Sequence, residues 1–127
     1  MTFELTQEFF FEAAHSLERA HDADASRRIH GHTYHAEVTL RGQRDPESGM
    51  VADLAVLRGH IEGVRQALDH RFLDEVEGLG PPTLENLAEF IAGRLSRADR
   101  RILSVKVGRR ASGDGCVYRS EGPGESG

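Results

Sequence analysis

The segment RRIHGHTYHAEVTLRG, residues 27–42, places His30 and His32 two apart at the mouth of an alternating stretch. On a β-strand, side chains two apart share a face, with Cα atoms roughly 6–7 Å apart. Both imidazoles can then reach one metal ion. Imidazole suits zinc, which takes nitrogen or sulfur donors in a tetrahedron. Gly31 leaves the opposite face open for a close neighbour. A catalytic zinc needs a third protein ligand and an open fourth position. His15 ends an earlier strand-like segment, and hairpin pairing would bring it beside His30 and His32. The competing reading is a His-x-His pair that is merely solvated. His21, His35 and His60 lack comparable context and read as solvated or locally satisfied.

Asp69-His70 is the second constellation. An aspartate beside a histidine can fix the ring tautomer and raise its basicity, which suits general acid–base work. The alternative is a histidine favoured by the dipole at a helix C-terminus.

These residues need elements to hold them. Residues 3–15 are Phe-rich and read as a strand with Phe9, Phe11, Ala13 and His15 on one face. Residues 30–42 alternate, with His30, His32, Tyr34, Ala36, Val38 and Leu40 facing a core. Between them, SLERAHDADASRR is polar and aperiodic, a loop; QRDPESG is a turn cluster. Asp53 offers an N-cap to a helix whose stripe is Leu54, Leu57, Ile61, Val64 and Leu68. GLGPP reads as a loop, and Thr83 caps a second helix carrying Leu84, Leu87, Ala88, Ile91 and Leu95. That helix leaves Glu85 and Glu89 exposed. RILSVKVGRR and CVYRS form two short strands joined at ASGDG. The order ββααββ predicts an α+β domain with two helices on one face of the sheet.

The 127 residues suit one domain, expected over 1–119, with an apolar-poor tail at 120–127 expected to be disordered. A net charge of -5 argues against nucleic acid as the main partner. No apolar run approaches the roughly 18 residues of a membrane span. The start lacks a basic n-region, so a signal peptide is not expected. The single cysteine, Cys116, excludes an internal disulfide and points to a cytoplasmic setting.

Read together, FEAAH (11–15), HGHTY (30–34), GMVADL (49–54), LDH (68–70), PTLENLA (82–88) and VKV…CVY resemble the 6-pyruvoyl-tetrahydropterin synthase / 6-carboxy-tetrahydropterin synthase family. The pieces run in family order over nearly the whole chain. The resemblance implies the tunnelling fold and a homotrimer closing a barrel, often stacked as a homohexamer, with active sites at subunit interfaces. It implies Zn2+ on His15, His30 and His32, with the zinc gripping the side chain of 7,8-dihydroneopterin triphosphate. It further implies a pterin or deazapurine (queuosine) pathway, assistance from Asp69 and His70, a cysteine that shuttles protons and a glutamate that anchors the pterin.

Two family positions depart. The cysteine position holds Ser26, whose hydroxyl is far less acidic than a thiol of pKa about 8.5. The glutamate position falls on Arg109 counting from VKV, or on Arg110 counting back from GCVY. Either way an anion becomes a cation, which prefers carboxylate or phosphate. Glu85 or another acid filling that role is the alternative, and Thr83 joins Arg109, Arg110 and Glu85 as candidate substrate-binding residues. Three functions compete: a divergent zinc lyase of the family type; a repurposed zinc lyase, aldolase or isomerase on a non-pterin, anionic small substrate; and a non-catalytic small-molecule binder.

Overall fold

The computed structural model describes residues 1–16 and 28–120; the expected loop through Ser26 and the tail beyond Ser120 lie outside them. Strands β1 (Phe3–His15) and β2 (His30–Gly42) pair antiparallel along their full lengths, from Phe3 opposite Gly42 to His15 opposite His30. β3 (Ile102–Arg109) and β4 (Asp114–Arg119) complete a four-stranded sheet in the order β1-β2-β3-β4. Helices α1 (Leu54–Leu68) and α2 (Leu84–Ala98) lie between β2 and β3 in the chain. The expected ββααββ order is the one found.

Alternation along each strand decides which face the helices cover. Phe11, Ala13, Tyr34, Ala36, Val38, Leu40, Val105 and Val107 are buried against Leu57, Ile61, Val64 and Leu68 of α1 and Leu87, Ala88, Ile91 and Leu95 of α2. Burying each such aliphatic side chain stabilises the fold by about 1.5–3 kcal/mol. The opposite face carries a row of partners across the sheet, Glu8, Glu37, Lys106 and Val117, and no helix among the described residues covers it. Both helices start as the sequence predicts. Asp53 accepts the Ala55 N–H at 2.9 Å, and Thr83 accepts the Asn86 N–H at 3.1 Å. A bulge between Thr39 and Leu40 lets β2 and β3 keep their buried faces in step.

The stretch after α1 holds a feature that no periodicity marks. His70 N–H donates to the Glu12 carbonyl at 2.6 Å, and Ala14 N–H donates to the Arg71 carbonyl at 3.0 Å. Ala14 and Phe72 form a parallel bridge. Ser16 then donates its N–H and its hydroxyl to Asp74, at 2.9 and 2.8 Å. The chain thus runs beside the free edge of β1 at its His15 end before a single 3-10 turn, Leu73–Glu75. Even-numbered β1 residues present their backbone groups to this edge. Those of Glu4, Thr6 and Glu8 have no such partner among the described residues. Among the described residues, no helix is long and apolar enough to cross a membrane.

Loss of the α1 cap in Asp53→Ala is expected to lower the unfolding free energy by about 1 kcal/mol. Leu87→Ala, at a fully buried site, is expected to cost about 2–5 kcal/mol. Urea titrations followed by circular dichroism would separate the two; equal midpoints would contradict the assigned core.

Candidate metal centre

The β1–β2 register puts His15 opposite His30 and Ala13 opposite His32. All three histidines occupy inward positions, and their nearest ring nitrogens lie within 4.8 Å of one another. His15 Nε2 is 2.9 Å from His30 Nε2 and 3.0 Å from His32 Nε2. The rings meet edge-on, with centroids 4.5–4.9 Å apart.

Two backbone carbonyls decide the tautomers. His15 Nδ1 lies 3.1 Å from the Pro82 oxygen, and His30 Nδ1 lies 2.8 Å from the Arg28 oxygen. A carbonyl only accepts, so each Nδ1 carries the proton and each Nε2 presents a lone pair. Lone pairs facing each other at such distances repel unless a cation lies among them. Zinc–nitrogen bonds of about 2.0–2.1 Å in a tetrahedron set donors roughly 3.3 Å apart, a few tenths of an ångström wider than here. The donor set therefore fits a metal ion with a small opening of the rings.

The electrostatics agree with that fit. Burial lowers the pKa of His15, with His30 and Arg109 adding to the effect against the opposing pull of the Pro82 carbonyl. Burial, His15, Arg109 and His30 push His32 down to about 4. Both rings are neutral at pH 7, the state a metal requires. Tyr34 places its hydroxyl 3.3 Å from His15 Nδ1, and burial pushes its pKa up to about 12, so it stays a phenol.

Asp69 and His70 form a separate unit. Asp69 Oδ1 accepts the Glu12 N–H at 2.9 Å; Oδ2 accepts from His70 Nδ1 at 2.9 Å and pairs with Arg65 Nη2 at 3.3 Å. The Glu12 amide is the main reason the Asp69 pKa lies below the usual carboxylate range, with His70 and Arg65 helping against burial. His70 has φ 59°, the one non-glycine in the left-handed region among the described residues. Such a conformation costs roughly 1–2 kcal/mol and marks a position held by its surroundings. With Nδ1–H directed at Asp69, Nε2 of the exposed ring is free to accept a proton. His70 lines a cleft of about 500 Å³ with Glu12, Gly31, His32, Thr33 and Phe72. Among the described residues no hydrogen bond joins Asp69 or His70 to the three histidines, but the cleft is common to His70 and His32.

The two arginines also part company. Arg109 points inward, its Nη1 3.5 Å from His32 Nε2 and its Nη2 donating to Asp114 Oδ2 at 2.8 Å. Arg110 turns outward and pairs with Glu8 at 3.1 Å, both side chains largely exposed. Arg109 is thus the cation at the metal centre. Thr83 spends its hydroxyl on the α2 cap, and Glu85 sits in the first turn of that helix, where its charge raises the Cys116 pKa after burial does. Neither hydrogen-bonds the histidines among the described residues. Ser26 lies outside the described residues. Sequence reasoning missed the carbonyls of Pro82 and Arg28, which have no side-chain signature, and the clamps Arg65 and Asp114, whose partners are distant in sequence or across a turn.

A model of the 6-pyruvoyl tetrahydropterin synthase family matches residues 4–121. The chain belongs to this family. It is 39% identical to the 6-carboxy-5,6,7,8-tetrahydropterin synthase of Synechocystis sp., over 72% of the chain and 74% of that protein. It is 30% identical to the Bacillus subtilis protein of the same name, over 99% and 91% of the two chains. A third relative, 33% identical over 68% of the chain and 69% of its own length, is the dihydroneopterin monophosphate aldolase of Pyrococcus furiosus. The solved Caenorhabditis elegans 6-pyruvoyl tetrahydropterin synthase superposes with a TM-score of 0.82 at 28% identity, covering 95% of this chain and 97% of that one. The sheet and helices are therefore the tunnelling fold. The relatives are named as enzymes, and the family's chemistry is that of lyases on pterins.

The histidine cluster is expected to hold one divalent metal ion per chain, and His30→Ala to lose it while the fold persists. Elemental analysis after gel filtration checks this; metal retained by His30→Ala would contradict it. The depressed Asp69 pKa means that its hydrogen bonds add stability above the unfolded value near 3.8, and that this is lost as pH falls through the lower folded value. Asp69→Asn should therefore lose less stability than the unaltered protein between pH 7 and pH 3 in paired thermal melts.

Proposed function

We propose that the protein is a zinc-dependent lyase of the tetrahydropterin-synthase type, divergent from the family reaction, that turns over dihydroneopterin triphosphate weakly. The convergence of three Nε2 atoms on one point carries the reading. His15, His30 and His32 would hold the ion, and zinc there would supply a Lewis acid that makes a bound hydroxyl easier to deprotonate. Pro82 and Arg28 keep two of the rings in the ligating tautomer. His70 is the proton acceptor and donor, with Nε2 as the exchanging atom and Asp69 holding Nδ1–H. Ser26 would contribute only with help from His70 or the metal.

No hydrogen bond among the described residues joins the dyad to the histidine cluster, although His32 and His70 share a cleft, and the reading takes an assembly to complete the site. A four-stranded sheet leaves two open edges, which proteins normally pair or cover. A homotrimer, alone or stacked as a homohexamer, would join β1 of one subunit to β4 of the next and bring the dyad of one to the metal centre of another. The chain would work in the cytoplasm on a small molecule. Thr83 and Glu85 at the start of α2 remain substrate-contact candidates.

Arg109 or Arg110 stands where the family resemblance calls for a pterin-anchoring acid, and Arg109 is the one that approaches the histidines. A guanidinium offers donors only, so the amino edge of a pterin placed there would leave its N–H groups unpaired, at about 1–3 kcal/mol each. That weakens binding by roughly ten- to a hundredfold before any loss in the chemical step. The same observation favours a second reading, a zinc lyase, aldolase or isomerase acting on a non-pterin, anionic substrate.

The zinc-loaded protein is expected to convert dihydroneopterin triphosphate at least tenfold more slowly than a Ser26→Cys, Arg109→Glu double variant, in a chromatographic assay of product. If the unaltered protein is the faster of the two, other residues do the work of the cysteine and the glutamate and the divergence is refuted.

A further inference from the structure

Arg109 is only partly satisfied. One nitrogen is spoken for: Nη2 donates to Asp114 Oδ2, which Ser112 Oγ also engages at 2.9 Å. The other two are not. Nε is buried with no hydrogen-bond partner among the described residues. Nη1 has only the long 3.5 Å approach to His32 Nε2. Its side chain is 22% exposed, so water reaches little of it. A buried donor without an acceptor is costly, and such groups are rare unless a ligand completes them.

Metal binding sharpens the deficit. Once His32 Nε2 gives its lone pair to a metal ion, it no longer accepts anything, and Nη1 loses its one contact on this side. A guanidinium would then face a dication across a narrow gap. Asp114 cancels the charge of Arg109 but nothing in the described cluster cancels that of the metal, since all its ligands are neutral imidazoles. The group that resolves both problems is an oxygen anion that ligates the metal and accepts from Nη1 of Arg109.

We infer that the open metal position takes a substrate oxyanion, a carboxylate or a phosphate, shared with Nη1 of Arg109. This rests on the zinc reading above and adds to it which part of the substrate lies where. A hydroxyl on the carbon next to a carboxylate can reach the same metal in a five-membered chelate, which places a hydroxy acid or a phosphorylated hydroxy compound in the site. Arg110, turned outward onto Glu8, takes no part.

The test uses zinc-loaded full-length protein and calorimetric titration with glycolate, inorganic phosphate and uncharged ethylene glycol. Zinc content and circular dichroism are checked for every variant. Glycolate, phosphate or both should bind to the unaltered protein, and ethylene glycol should not; the tighter anion names the group. Arg109→Gln should weaken that binding at least tenfold at unchanged zinc content, Arg109→Lys should retain part of it, and Arg110→Gln should bind as the unaltered protein does. Should Arg109→Gln fold poorly, Arg109→Lys decides, because it keeps the charge but falls short of the Nη1 position. Anion binding that Arg109→Gln and Arg109→Lys leave untouched would overturn the inference, as would zinc-loaded protein that binds neither anion. In both cases the zinc reading survives. Failure to load zinc at all would remove that reading and this inference with it.

Discussion

The pairing register of β1 with β2 is the constraint on which the site depends. His15 faces His30 across the ladder, and His32 lies on the same side because strand side chains repeat every two residues. A slip of one residue would turn His30 and His32 to the outward face and bury Gly31 and Thr33 instead. The same slip would expel Tyr34, Ala36, Val38 and Leu40 from the core, at a cost of several kcal/mol. Core packing and ligand placement are thus held by a single choice of register. Three repelling lone pairs can be kept together because the hydrophobic face beneath them cannot shift without unfolding.

The surroundings of the cluster are tuned by groups from far along the chain. Pro82 reaches His15 from the approach to α2, and Arg109 arrives from the end of β3. The segment that follows α1 carries Asp69 and His70 to the free edge of β1, where Arg65 and the Glu12 backbone hold them. Burial favours the neutral form of His15 and His32, whereas the ring of His70 stands exposed beside Asp69.

Much of this was legible in the residues. The alternation from His30 to Leu40, the caps at Asp53 and Thr83, and the apolar stripes of both helices follow from local rules, and the structure has them where those rules put them. The meeting of His15 with His30 and His32 needed only a hairpin and a parity argument. Less was readable where distant backbone decides. Counting along the chain left Arg109 and Arg110 equivalent; strand parity at the end of β3 separates them, one inward and one outward. That Asp69 and His70 would be held against the free edge of β1 could not be read from their proximity to a helix end, because it depends on hydrogen bonds to β1, some 57 residues earlier. The tautomers of His15 and His30 depend on carbonyl oxygens, which every residue type possesses.

The strand-like stretch beside β1 has a further geometric effect. It occupies the edge from Glu12 to Ser16, and Arg65 takes the Phe10 carbonyl at 2.7 Å. A strand added from outside finds room along Glu4, Thr6 and Glu8 and then meets an end stop. It can slide no further toward His15, and its side chains must keep a fixed phase against β1. The chain thus carries its own alignment gauge for whatever strand docks there, made from the same few residues that seat His70.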